Sequence, residues 1–426
     1  MSLSPWVSVL LAVPVLLLGE LLSEKVSFFR RFNIPDPVVG GLLVSFLVLG
    51  LNLIGAGPLS FASAVTAPWW TWIVTIEPEW SHAPKMDVTV PLMVGFFTCI
   101  GLNATWDLVR RGGHKVLLFL ILATVFALLQ NGLGVILAKM LGQNPLLGLV
   151  CGSLTLTGGH GTAIGFAPLL EKLGLSSAAL LGAAAATIGV VAGGLIGGPV
   201  GTALIRRNQL HAEDGVAGGS TSSSAGAPRG ILAEVRELGD YSWETLRHFL
   251  LVLACIKAGA WVSHYLQLTG ATFPPQMGAM IIGVLIRNLL DATGHRWIRY
   301  EIIDLIAAIL LALFLTIAMM RLNLMDLASA AVPMLVILAV QIAFMALFAY
   351  FVTYRVMGRD YDAAVMAGGH CGFGLGATSN AMATMKVLVA RHGAAPGAFL
   401  VIPLVGAILI DFTNALNITL FLNFLK

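Results

Sequence analysis

Long apolar runs alternate with short polar segments along the chain, and the runs fall into two groups of five. They lie near 5–23, 38–56, 88–104, 116–139 and 177–204, and near 246–267, 276–290, 302–320, 331–354 and 396–423. An apolar helix of about 20 residues is long enough to cross the roughly 30 Å of hydrocarbon in a bilayer. The pattern predicts an all-α membrane protein with ten transmembrane helices.

A glycine-rich segment interrupts this pattern between the fourth and fifth run of each group. The two segments are GSLTLTGGHGTAIGFAPLL (152–170) and AGGHCGFGLGATSNAMATM (367–385). Each contains two arms of about 10–12 residues, long enough to reach only halfway across the hydrocarbon. Unwound backbone at that depth is tolerated only inside protein or along a wet cavity. We therefore expect re-entrant hairpins over 145–171 and 361–390.

The two groups resemble each other and are joined by a polar segment. The Gly/Ser/Ala-rich stretch after the fifth run predicts a flexible linker over 205–245 between repeats 1–204 and 246–426. GGH occurs at 158–160 and 368–370, about 30 residues after Gln130 and Gln341. Because five is an odd number of spans, the second repeat is expected to be inverted. Inverted repeats with broken helices are typical of alternating-access transporters.

Charge placement predicts the orientation in the membrane. Only 11% of residues are charged and 58% are hydrophobic, and the net charge of +3 gives no indication of nucleic-acid binding. With the N-terminus outside, 18 of the 24 lysines and arginines lie in inner segments, five in outer segments, and Lys257 within a span. Since inner loops carry the excess positive charge, both termini are predicted to be periplasmic and the linker cytoplasmic.

The hairpin tips, expected at Thr157–Thr162 and Gly368–Gly374, are the candidate substrate site. Helices that start after each tip present unpaired N–H groups and a positive dipole end, which suit a carboxylate. The alternative is that the glycines only allow close helix packing. The candidate substrate-binding residues are Thr157, Gly158, Gly159, His160, Gly161, Thr162, Gly372, Gly374, Thr378, Ser379 and Asn380.

Asp411 lies near the middle of the last apolar run, with Asn414 one helical turn later. A carboxylate at bilayer depth is costly and marks a candidate functional site, here for a monovalent cation. The alternative is a structural ion pair, with Lys257 as one possible partner. His160 and His370 have no surrounding ligand cluster, so hydrogen bonds that hold the tips are favoured over a metal site.

Six segments together resemble the bacterial sodium/glutamate symporter family. They are IPDPVVGG, PLMVGFFTCIGLNA, GSLTLTGGHGT, GGLIGGPV, YDAAVMAGGHCGFGLGAT and VGAILIDFTNAL, in this order along nearly the whole chain. Two stretches depart from the family pattern: Ala163-Ile164 after GGHGT, and Ser379-Asn380 where the family continues with proline and threonine.

The resemblance implies a sodium-coupled symporter that imports L-glutamate by alternating access and forms a homodimer in the bacterial inner membrane. Its partners are then L-glutamate, sodium and lipid, with sodium as coupling ion and no other cofactor or metal. The alternative is a sodium-coupled carrier of another dicarboxylate or amino acid. An enzyme is not expected, because Ser379 has no evident base except His370. The expected sodium ligands are Asp411, Asn414, Thr98, Asn103, Gly369 and His370.

Overall fold

The computed structural model describes residues 2–31, 34–53, 60–76, 85–212, 242–270, 273–294, 297–322 and 331–425. Helices account for most of this part of the chain. The strands are pairs of two residues: β1 (Ser2–Leu3) runs parallel to β2 (Ser60–Phe61), and β3 (Ala64–Val65) runs antiparallel to β4 (Met86–Asp87). The prediction of an all-α membrane protein is confirmed at this level.

Nine helices precede the linker in the part of the chain that the structure describes. They are α1 (Pro5–Lys25), α2 (Ser27–Arg31), α3 (Asp36–Leu53), α4 (Pro68–Thr71), α5 (Val90–Asn103), α6 (Trp106–Met140), α7 (Pro145–Leu149), α8 (Gly159–Lys172) and α9 (Ala178–Arg207). A 3₁₀ turn at Trp72–Val74 follows α4, and a π-helical turn at Val150–Leu154 extends α7. Helix α6 is kinked at Gly113, whose φ of 65° is not helical.

Eight helices follow in the second half of the chain as described. They are α10 (Ser242–Leu268), α11 (Pro275–Ala292), α12 (Tyr300–Met320), α13 (Ala331–Phe348), α14 (Tyr361–Gly374), α15 (Thr378–His392), α16 (Pro396–Leu404) and α17 (Ile410–Leu425). Helix α13 continues through a π turn to Val356, and a second π turn, Val405–Leu409, joins α16 to α17. Most of the predicted linker, residues 213–241, lies outside the described residues.

Seven helices within the described residues are long and apolar enough to cross a membrane, and the bent pair α16–α17 makes an eighth candidate. Each predicted apolar run is mostly helical over its described residues. The runs at 88–104 and 276–290 are the two whose helices are not long and apolar enough to cross by this measure. Helix α5 has 14 residues, and the 18 residues of α11 include Arg287 and Asp291 near its end. A multi-pass membrane protein is therefore confirmed, and the count of ten spans stays a prediction.

The chain divides into two compact units, and each unit takes helices from both halves of the sequence. The first unit comprises Met1–Thr105 with Pro228–Leu327, and the second comprises Trp106–Ala227 with Ala328–Lys426. The first three predicted spans of each half thus belong to one unit. The fourth span, the hairpin and the fifth span of each half belong to the other.

The first unit contains matching helix crossings. Helix α1 crosses α3 where Gly19 meets Gly40, and α10 crosses α11 where Gly259 meets Gly278. At both crossings a larger side chain would collide with the facing backbone, so small residues set the close approach. Helix α5 packs on α11, and correspondingly α12 packs on α3. The same arrangement thus occurs twice in this unit.

Candidate functional site

The first hairpin consists of α7 with its π turn, a short connection, and α8. Asn144 caps α7, because its Oδ1 accepts a hydrogen bond from the Leu146 N–H at 2.9 Å. Beyond the π turn the chain stays helical to Leu156. Helix α8 begins at Gly159, whose φ of 66° is one that glycine adopts readily. Thr157 and Gly158 therefore form the connection.

The remaining candidates of this hairpin, His160, Gly161 and Thr162, lie in the first turn of α8. The structure thus brings all six candidates of the first tip together at one helix start.

The second hairpin consists of α14 and α15, and its tip differs from the prediction. Asp360 caps α14 by accepting from the Ala363 N–H at 2.7 Å, and the helix then continues without a break to Gly374. The expected tip at Gly368–Gly374 is therefore wrong, because these residues are helical and the connection is Leu375–Ala377. These glycines serve close packing instead: Gly372 lies against Ala381 of α15.

The two tips meet within the second unit. A Cβ atom added to Gly159 would lie 3.2 Å from the carbonyl oxygen of Gly376, so the backbones of the two connections are in close approach. Gln130 of α6 also forms hydrogen bonds with both hairpins. Candidate residues 210 positions or more apart in sequence, such as Thr157 and Gly374, are thereby brought to one place.

Each histidine of the two GGH motifs forms a hydrogen bond with a threonine. His160 Nε2 lies 3.0 Å from Thr187 Oγ1, and since that hydroxyl donates to the Ala183 carbonyl, it accepts from His160. His370 Nδ1 lies 2.9 Å from Thr353 Oγ1. No group of three or more metal-ligating side chains occurs in the described residues. These contacts favour the holding role that we predict for both histidines.

The rings of four phenylalanines surround His370. Their centroids lie 5.0–6.1 Å from that of the imidazole, and they belong to Phe119, Phe126, Phe348 and Phe373. His370 is fully buried, as is Gly369 beside it. An apolar aromatic shell offers few of the oxygen ligands that sodium prefers. It therefore makes His370 a weaker sodium candidate than Asp411.

The start of α15 presents three polar residues in different settings. Thr378 Oγ1 donates to the Gly406 carbonyl at 2.6 Å, and the buried Asn380 donates through Nδ2 to the Val190 carbonyl at 2.6 Å. Ser379 is exposed, and its hydroxyl has no partner among the described residues. Of the three, Ser379 is thus the one available to a ligand, while the other two attach the hairpin to its neighbours.

Asp411 and Asn414 lie on α17, just after the bend that separates it from α16. Asn414 is bonded twice to the first hairpin: its Oδ1 accepts from Ser153 Oγ at 2.6 Å, and its Nδ2 donates to the Ser153 carbonyl at 3.0 Å. Asp411 is half-buried, with neither a hydrogen bond nor an ion pair to its side chain among the described residues. The Asp411 carboxylate therefore lies one helical turn from Asn414, the residue that is bonded to the first hairpin.

Thr98 and Asn103, the other two sodium candidates, belong to the first unit. Both lie on α5 and are buried; Thr98 Oγ1 donates to the Val94 carbonyl at 2.7 Å. The Asn103 Oδ1 is buried with no hydrogen-bond partner in the described part of the chain. Their relation to Asp411 stays untested.

Comparison with known proteins identifies the family. The family model described as sodium/glutamate symporter matches residues 1–394. The chain is 38% identical over 412 residues to a protein named sodium/glutamate symporter from Escherichia coli (strain K12), covering 96% of this chain and 95% of that one. It is 35% identical over 420 residues to the Haemophilus influenzae protein of the same name, covering 97% and 96%. The chain belongs to the sodium/glutamate symporter family.

Membership of the sodium/glutamate symporter family makes this protein a transporter and not an enzyme. The geometry agrees with that assignment. The hydrolase alternative would need Ser379 beside a base, but the hydroxyl of Ser379 is without a partner in the described residues. His370, its only evident base, is buried and bonded to Thr353.

The partner of Lys257 could not be predicted from the sequence. Its ammonium group donates to the carbonyl oxygens of Trp72 at 2.9 Å and Thr75 at 2.7 Å, and it lies 3.7 Å from the centre of the Trp72 ring. Carbonyl and cation–π contacts satisfy the charge without a carboxylate.

Sequence reasoning missed Ser153, Thr187 and Thr353, which hold the hairpins through tertiary contacts. Isolated serines and threonines on apolar helices carry no periodic signal, so nothing in the sequence distinguishes them. The position of Gln130, at nearly the same spacing before GGH as Gln341, was the one available signal.

Proposed function

We propose that this protein imports L-glutamate together with sodium by alternating access across the bacterial inner membrane. The observation that carries the proposal is the meeting of two broken-helix hairpins, one from each half of the chain, at Gly159 and Gly376. Broken helices that meet within a membrane protein are the usual binding site of secondary transporters. The printed names of the relatives supply sodium and glutamate as the first ligands to test.

The substrate carboxylates are held by the starts of α8 and α15. Both helices begin at the hairpin connections, so their free N–H groups and positive dipole ends face the place where the tips meet. The exposed Ser379 adds a hydroxyl donor. Buried neighbours such as Asn380 and His160 position these helix starts through their own hydrogen bonds.

Sodium binds at Asp411, with oxygen ligands from the adjacent hairpin. Hard cations prefer oxygen ligands, and the carboxylate is otherwise without a partner in the described residues. The double hydrogen bond between Asn414 and Ser153 connects this position to the first hairpin. Sodium binding thereby fixes the hairpin that presents the start of α8 to the substrate.

The wider architecture is ten spans in two inverted repeats with re-entrant hairpins, both termini periplasmic, assembled as a homodimer. The repeated glycine crossings of the first unit and the matching hairpins of the second support the repeat. The charge asymmetry supports the orientation. The homodimer rests on the family resemblance alone.

Uptake into proteoliposomes tests this function. An inward sodium gradient should drive accumulation of labelled L-glutamate above its outside concentration, and dissipating the gradient should abolish it. Accumulation of another dicarboxylate in preference to glutamate would support the alternative carrier. Equilibration without uphill accumulation would instead identify a passive pathway and contradict the proposal.

A further inference from the structure

One side chain of α6 contacts both hairpins. Gln130 Oε1 accepts a hydrogen bond from Thr157 Oγ1 at 2.7 Å, and Gln130 Nε2 donates to the Gly374 carbonyl at 3.0 Å. The side chain is fully buried. Because the two bonds use opposite sides of one amide, the carbonyl oxygen and the NH₂ group, neither partner can move without losing its bond.

Both bonds lie where a helix ends. Gly374 is the last residue of α14, and the final carbonyls of a helix have no partner within it. Thr157 lies in the connection just before α8 begins. Gln130 thus supplies a hydrogen bond to the end of α14 and to the tip beside the start of α8. Its own carbonyl accepts from Gln341 Nε2 at 2.7 Å, a contact that involves neither tip.

The equivalent glutamine of the second half makes no such bridge. Gln341 precedes the second GGH as Gln130 precedes the first, but Ala367 stands where the first motif has Thr157. Ala367 has no hydroxyl, and the buried Oε1 of Gln341 has no hydrogen-bond partner within the described residues. The bridge between hairpins is therefore made by one member of the pair, which provides a matched control.

We propose that Gln130 is a positioning residue that holds the two hairpin tips in a fixed register and so transmits sodium binding to the substrate site. This inference rests on the proposed function. A sodium ion bound near α17 and the first hairpin restrains Ser153 and the connection at Thr157. The hydrogen bonds of Gln130 extend this restraint to Gly374 at the end of α14. Coupling between two ligands is reciprocal, so it can be read from either affinity.

The test is the ratio of glutamate affinities at saturating and at low sodium, measured by binding of labelled glutamate to the purified protein. Gln130→Met keeps the length of the side chain and removes both bridging bonds. It should lower this ratio by about fivefold or more, the lower end of typical coupling effects. Thr157→Val removes one of the two bonds and should also lower the ratio. This variant provides the test if Gln130→Met does not fold.

Gln341→Met is the matched control, since it removes a buried glutamine bonded to the backbone of Gln130 but to neither tip. It should lower thermal stability while keeping the ratio. An equal loss in Gln341→Met would mean that only packing matters and would overturn the inference. A ratio retained in folded Gln130→Met would overturn it while leaving the proposed function intact. If sodium has no effect on the glutamate affinity of the unmodified protein, both the role of Gln130 and the proposed function are contradicted.

Discussion

At the scale of single residues, Asp411 is a carboxylate on a membrane helix that has no partner among the described residues. An unpaired charge at bilayer depth costs about 2.5–3.5 kcal/mol on insertion scales, so a bound cation would stabilise it. Asp411→Asn should raise the sodium concentration for half-maximal glutamate uptake at least about tenfold, or about 1.4 kcal/mol. A sodium titration of uptake measures this.

Thr413→Val is the control for Asp411, because Thr413 lies two residues away and is bonded to Thr124. It should leave the sodium titration unchanged. If folded Asp411→Asn keeps its sodium dependence, the cation site should be sought around Thr98 and Asn103.

The neighbouring residues Ser379 and Asn380 should have separable roles. Ser379 is exposed, so Ser379→Ala should raise the KM for glutamate while leaving the melting temperature unchanged. Asn380 is buried and donates to the Val190 carbonyl. Asn380→Ala should therefore cost about 1–3 kcal/mol of stability, the usual result of leaving a buried group unpaired. Uptake kinetics and thermal unfolding in detergent, measured on both variants, distinguish these outcomes. Lost stability in Ser379→Ala together with a raised KM in Asn380→Ala would place the substrate elsewhere.

The ion pair between Asp87 and Arg321 should make stability depend on pH. Burial of Asp87 favours its neutral form, but the hydrogen bond and charge of Arg321, together with two hydrogen bonds from Thr89, outweigh burial and hold the pKa of the carboxyl below its ordinary value. A lowered pKa stabilises the folded state above the ordinary carboxyl pKa of about 3.9, and this stabilisation is lost as pH falls through the lowered value.

Arg321→Met should therefore lower the melting temperature at pH 7, with a cost of about 1.5–3 kcal/mol for the lost charged hydrogen bonds. The difference from the unmodified protein should shrink below pH 4. A difference that stays constant down to pH 3 would mean that Arg321 acts through packing alone.

At the scale of elements, the hairpins show what sequence patterns can and cannot predict. Clustered glycines predicted a break in the helix within each segment, and the structure has breaks at Thr157–Gly158 and at Leu375–Ala377. That the two segments are re-entrant stays a prediction. The second tip was wrong because glycine in a membrane helix serves close packing as often as a break. Gly368 and Gly372 pack against other helices, and only tertiary structure distinguishes them from Gly376 in the connection. The pairing of Asn414 with Ser153 likewise depends on distant contacts.

Gly159 is the glycine whose substitution should disrupt the meeting of the tips. Its φ of 66° disfavours other residues, and an added Cβ would lie 3.2 Å from the Gly376 carbonyl oxygen. Gly159→Ala should cost about 1–2 kcal/mol of local strain and reduce uptake at unchanged expression. Gly198→Ala is the control, because nothing lies within 4 Å of its added Cβ. Equal uptake by the two variants would mean that the tips need not approach closely.

At the scale of the whole molecule, the chain's two halves are interleaved into two compact units, which no local pattern reveals. The apolar runs predicted the helices, because each is long and continuous in sequence. Helix α11 is not among the helices long and apolar enough to cross a membrane by composition, and its Arg287 and Asp291 pair with each other at 3.0 Å near its end. An internal ion pair reduces the cost of placing both charges near hydrocarbon, so we expect α11 to cross the membrane.

Reporter fusions after Gly174 and after Gly358 test both the crossing of α11 and the inversion of the repeats. Among the described residues, five helices, α9 to α13, lie between these positions, and four of them are long and apolar enough to span by length and composition. If α11 also crosses, five is odd and the fusions lie on opposite sides: periplasmic after Gly174, cytoplasmic after Gly358. A fusion after Arg229, outside the described residues, should also read cytoplasmic, as its charged surroundings predict. If the first two fusions read the same side while each fusion is stably expressed, α11 does not cross, and the second hairpin would enter from the same face as the first.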